Sequence, residues 1–115
     1  MVHIVPATME LLTRFYGEEP KRSQRAVVAI KDDRIIGVAG IYTEKERSVM
    51  FSQMTDECRQ DKRTVVKGIR AVMKLASARA MPVMALADPE IEGSEKLLEH
   101  MGFAPLKGRV YQWQP

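Results

Sequence analysis

Apolar residues recur along this chain in two rhythms, and the switches between them mark out the elements. From Ala7 to Glu18, Met9, Leu12, Phe15 and Tyr16 fall at helical spacing just after Pro6, which predicts a short amphipathic helix. Glu18 to Gln24 is polar, contains Pro20 and reads as an exposed connection. Ala26 to Ile30 and Ile35 to Tyr42 are β-type apolar runs on either side of Lys31-Asp32-Asp33-Arg34, so they predict a hairpin. Ser48 to Thr55 alternates and carries β-branched and aromatic residues, which predicts a third strand.

The period then changes. Val65, Val66, Ile69, Val72, Met73, Ala76 and Ala80 step by threes and fours from Arg63 to Ala80, and Pro82 stops the helix they predict. Val83 to Ala87 is a short buried strand before the Asp88-Pro89 turn. Glu92 to Met101 is a further helix with Leu97, Leu98 and Met101 inward and Gly102 as its C-cap. Phe103 to Leu106 and Arg109 to Trp113 close the chain as strands around Lys107-Gly108. The order expected is α-β-β-β-α-β-α-β-β: a mixed α/β (α+β) domain with a mostly antiparallel sheet flanked by helices.

Composition narrows the classes. The 115 residues are 45% hydrophobic and 29% charged, the balance of one globular domain over residues 1–115. No apolar stretch approaches the roughly 20 residues of a membrane span, and MVHIVPATMELL lacks the basic start and long apolar run of a secretory signal, so a cytoplasmic location is expected. Cys58 stands alone, and His3 and His100 lie at opposite ends, so neither a disulfide nor a structural metal is expected.

The segment Glu92 to Phe103, EGSEKLLEHMGF, together with the element order, resembles the GNAT family of acetyl-CoA-dependent N-acyltransferases over about Ala26 to Trp113. Ser94, Leu97, Glu99, Gly102 and Phe103 match the family's C-terminal helix-to-strand motif. The resemblance implies the GNAT fold with a shortened N-terminal helical region, and acetyl-CoA as acyl donor to an amine acceptor. It implies a cofactor held between the third strand and the long helix, with its diphosphate on N–H groups at the helix start, an arrangement that the helix dipole favours. The corresponding residues are Met54, Thr55, Arg59, Lys62, Arg63 and Thr64.

Two positions depart from the family pattern. Lys62 and Thr64 occupy the small-residue places of the phosphate turn, where glycine normally lets the backbone approach the anion. Leu98 stands where many members carry a proton-donating tyrosine, and Ser48 to Thr55 has no carboxylate to serve as base. Tyr111 and Ser52 are the substitutes singled out as catalytic candidates, with Tyr42, Cys58 and His100 beside them, and core or edge packing is the alternative reading for each. A GNAT-fold protein that has become a binding or assembly component is the alternative to an enzyme.

Charge is unevenly spread: Lys62 to Ala87 holds six basic residues and no acidic one. Arg63, Lys67, Arg70 and Lys74 form one stripe of the long helix, which reads as a solvated face, as a cofactor-phosphate contact, or as a surface for nucleic acid or an acidic protein. The absence of interleaved aromatics argues against single-stranded nucleic acid. Asp88 to Glu92 with Glu95 and Glu99 makes an acidic edge that would suit an amine substrate or plain solvation. The methionines fall on apolar faces as packing residues. Family habit implies homodimer pairing through a sheet edge, for which Val110 to Trp113 is suited, and the short N-terminal region also resembles minimal bacteriophage GNAT-like proteins.

Overall fold

The hairpin turn at Asp32 and Asp33 sets the sheet. Both residues take left-handed φ, 50° and 63°, as a tight two-residue turn requires, and the flanking strands follow as β2 (Arg25–Lys31) and β3 (Arg34–Glu44). The computed structural model describes residues 2–19, 24–78, 81–87 and 93–114. Most of the Glu18 to Gln24 connection, the last residues of the long predicted helix (Arg79, Ala80) and the Asp88 to Glu92 part of the acidic edge lie outside the described residues.

The described elements run β1 (Val2–Pro6), α1 (Met9–Tyr16), β2, β3, β4 (Arg47–Met54), α2 (Asp56–Gln60), α3 (Lys62–Ser77), β5 (Val83–Leu86), α4 (Ser94–His100), β6 (Ala104–Lys107) and β7 (Val110–Trp113). Two exceed the sequence expectation. β1 adds an edge strand antiparallel to β2, with Ile4 opposite Ala29, and α2 fills the connection after β4 with a five-residue turn capped by Thr55. The helices start and stop where their caps act. Thr8 accepts from the Leu11 N–H at the start of α1, Gly17 ends it at φ 80°, and Gly102 follows α4 at φ 95°.

The strands form one sheet in the order β1-β2-β3-β4-β5-β7-β6, antiparallel throughout except for β4 beside β5. β7 is therefore internal, paired with β5 on one side and β6 on the other. The edge role expected for Val110 to Trp113 falls instead to β6, because the Lys107-Gly108 hairpin folds β6 outside β7. This is the mixed, mostly antiparallel sheet flanked by helices expected from the sequence.

Each face of the sheet has its own core. Leu12 of α1 packs with Ala26, Val28 and Val38 on one face. On the other, Val72 and Ala76 of α3 and Leu98 of α4 meet Val27, Ile41, Val83, Ala85 and Tyr111. A β-bulge after Ala29 inserts Ile36, which packs with Ala29 and Cys58 beneath α2. No helix among the described residues is long and apolar enough to cross a membrane.

Candidate functional site

β4 and β5 begin as parallel partners and then part. Only Ser48 with Val83 and Val49 with Met84 are paired. Backbone groups alternate sides along a strand. The Ser48 N–H donates to the Pro82 carbonyl at 2.9 Å, while that of Thr55 donates to Ile36 across β3 at 2.9 Å. Even-numbered residues of β4 therefore turn their backbone groups toward β5. The Ala87 N–H donates to Arg109, so Leu86 turns its own toward β4. Past the two pairs, the N–H groups of Ser52, Met54 and Leu86 face a gap, beyond the last paired residues of the two strands.

Behind the gap lies a cavity of about 370 Å³, within the size range of small-molecule sites. Met50, Ser52 and Met54 form one wall, Ala85 to Ala87 the next, Leu97 and Leu98 of α4 a third, and Thr64, Val65, Gly68 and Ile69 of α3 the roof. The lining is predominantly apolar, with the Ser52 and Ser94 side chains near its rim.

The start of α3 sits at the open end of this gap, and its own residues cap it. Asp61 Oδ1 accepts the Thr64 N–H at 3.2 Å and Oδ2 accepts the Thr64 hydroxyl at 2.7 Å. These hydrogen bonds from Thr64, hydroxyl first and N–H next, hold the Asp61 carboxyl below its usual range. Thr55 is similarly committed: its hydroxyl donates to Ile36 and accepts from the Cys58 N–H. Arg59 lies on α2 with its guanidinium 3.2 Å from Asp56, while Lys62 and Arg63 project into solvent from the first turn of α3.

Glu57 ties α2 down, accepting from Lys31 at 2.8 Å and Arg34 at 3.2 Å. Those two hydrogen bonds lower its carboxyl and raise the Lys31 ammonium. Cys58 is 2% exposed, and burial, with the Asp61 charge second, pushes its thiol up to about 11. That thiol lines the cavity as an uncharged apolar group.

The structure gathers Ser52, Met54, Thr64 and Cys58 onto the cavity wall, whereas Thr55, Arg59, Lys62 and Arg63, on α2 and at the start of α3, are not among its lining residues. Tyr111 is elsewhere: it is buried in the core on β7 opposite Ala85, and desolvation raises its phenol. Leu98, at the tyrosine position of the family motif, is a buried methyl-bearing wall. His100 is exposed on α4 and Tyr42 packs against Phe51 with centroids 6.0 Å apart. Arg63, Lys67, Arg70 and Lys74 are exposed along α3, opposite its buried Val65, Val72 and Ala76. Sequence reasoning overlooked Asp61 and Gly68. An acidic residue just before a helix with no other acid in its first turn is a legible cap signal, and a glycine inside a helical period is a legible irregularity.

No family model matches this sequence, and no curated protein matches it. Solved structures do match. The ribosomal-protein-S18-alanine N-acetyltransferase from Escherichia coli superimposes with a TM-score of 0.73 at 11% identity, over 99% of this chain and 94% of that one. The aminoglycoside acetyltransferase AAC(6')-Ib, solved in complex with coenzyme A, gives 0.67 at 13% identity over 99% and 95%. An acetyltransferase of the GNAT family from Staphylococcus aureus Mu50 gives 0.64 at 11% identity over 99% of both. The chain has the GNAT fold, and the structures it resembles are those of N-acetyltransferases.

Proposed function

We propose that this protein is an acyl-CoA-dependent N-acyltransferase, with acetyl-CoA as the donor to be tested first and an amine as the acceptor. The observation that carries the reading is the parting of β4 from β5 over an apolar cavity, with the Ser52, Met54 and Leu86 N–H groups turned toward the gap beyond the last strand pair. An amide-bearing arm has there the backbone partners it needs, and the coenzyme A in the AAC(6')-Ib complex supports the choice. When bound, the cofactor supplies an activated acyl thioester.

The chain's own residues do the rest. The lip orients the arm, and the walls of Met50, Leu97 and Leu98 exclude water. Lys62 and Arg63 supply positive charge for phosphates at the start of α3. Asp61 already occupies the Thr64 N–H, so these side chains, more than backbone amides, would carry the anion. Ser52 brings a hydroxyl to the cavity wall, and proximity provides most of the rate.

A second reading, a GNAT-fold protein that binds without catalysis, is favoured by Leu98 and by the Asp61 carboxylate at the helix start. Calorimetric titration with acetyl-CoA and CoA, on the wild type and on a Lys62→Glu, Arg63→Glu variant, tests both. Micromolar binding that the reversal weakens at least about tenfold supports the first reading, since charge-assisted hydrogen bonds are worth about 1.5–3 kcal/mol. Acetyl transfer to an amine, lost in the variant, excludes the second. No binding of either nucleotide rules out the first.

A further inference from the structure

The cavity is wider than an arm lying along β4 requires. Strand register places Ser52, Ala39 and Val27 opposite one another across β4, β3 and β2. A second row, Met54, Gly37, Ala29 and Ile4, crosses from β4 to the edge strand β1. Both rows line the cavity; Ala39, Val27 and Ala29 are small, while over Gly37 the Cys58 thiol and the Met54 side chain close down, 3.0 and 3.3 Å from where a Cβ would stand, and form part of the floor. The floor thus runs across three inter-strand spacings, about 14 Å at the usual strand separation.

The roof is open to match. Gly68 is buried in the middle of α3, yet a Cβ built there would meet nothing within 4 Å. Glycine inside a helix is unfavourable relative to alanine, so the sequence forgoes helix propensity at a position that faces this space, between Val65 and Ile69. Apolar space of this kind, walled by Val65, Ile69, Val27 and Ala29, offers water few hydrogen-bond partners and suits hydrocarbon.

We infer that the space between α3 and the sheet is an acyl-chain subsite, and that the preferred donor carries an unbranched medium-length chain rather than acetyl. This rests on the acyl-CoA reading above, with the thioester at the β4–β5 gap and the chain running beneath Gly68 toward Ile4. The chain is uncharged and needs no hydrogen-bond partner, in keeping with a lining that offers almost none. Each methylene buried is worth about 0.8 kcal/mol, or about fourfold in Kd.

The test is calorimetric titration of the full chain with acetyl-CoA and octanoyl-CoA, repeated on Gly68→Leu and on Ala29→Leu, which fill the space from opposite sides. Octanoyl-CoA is expected to bind at least about tenfold tighter than acetyl-CoA, and either substitution to bring that ratio close to one. Equal affinities in the wild type, or a preference that survives both substitutions, overturns the subsite and leaves the cofactor reading standing. Failure of both thioesters overturns the two together.

Discussion

The carboxylate of Asp61 grips Thr64 at two points, accepting its N–H at 3.2 Å and its hydroxyl at 2.7 Å. The start of α3 therefore carries a built-in anion at the turn where the proposed function puts the cofactor's phosphates. Loss of an N-cap side chain costs about 1 kcal/mol, so Asp61→Ala should lower stability by that amount in urea denaturation. Because hydrogen bonding lowers the folded-state pKa of Asp61, its contribution is fully present above the unfolded value near 4 and fades as pH falls through the lower folded one. The stability difference between wild type and Asp61→Ala should accordingly be flat at neutral pH and shrink only below about pH 4.

Two glycines should respond to alanine with opposite signs. A Cβ at Gly40 would stand 2.7 Å from the Ala26 Cβ and collide with the Arg25 carbonyl, both part of the adjacent strand, so Gly40→Ala forces β2 and β3 apart. A cost of about 3 kcal/mol or more is expected. Gly68→Ala enters free space in a helix and should stabilise by up to about 1 kcal/mol. Chemical denaturation of the two variants measures both.

Cys58 should be chemically quiet. With the thiol pushed up to about 11 and 2% exposed, its thiolate fraction near pH 8 is on the order of one in a thousand. Alkylation by iodoacetamide followed by mass spectrometry should run at least about a hundredfold slower in the native protein than in urea. Native labelling at the denatured rate would mean that the thiol is reachable from solvent.

The Lys31–Glu57–Arg34 cluster joins α2 to the β2–β3 turn, but more than a third of each side chain is exposed. Solvent screening leaves such exposed pairs little net contribution to stability. Glu57→Gln should shift thermal unfolding only slightly, and molar salt should erase the difference.

The sequence displayed what periodicity can carry. The long helix, the Asp32-Asp33 hairpin and the Gly102 cap were legible because each rests on neighbouring residues alone. β1 escaped notice because VHIVP is short and ends in Pro6, and only its pairing with β2 makes it a strand. DECRQ has no room for a helical period, so α2 emerges from the Thr55 cap and the Glu57 ion pairs. Ser52, Met54 and Thr64 meet at the cavity because β4 leads through α2 into α3 in sequence. The space beneath Gly68 was not legible, since it depends on how far α3 stands above strands more than thirty positions away.

The two pairings that join β4 to β5 also divide the sheet. On one side lie β1 to β4, drawn from residues before 55, and on the other β5, β7 and β6, drawn from residues after 82. Each half is continuous along the chain, and the seam between them has only the Ser48–Val83 and Val49–Met84 bridges. The strand pairing stops after those two bridges, so along the rest of the seam the halves are tied by side-chain packing, Val27 and Ile41 with Val83, Ala85 and Tyr111. The same break that opens the cavity makes the shared apolar core, more than the ladder, the bond between the two halves.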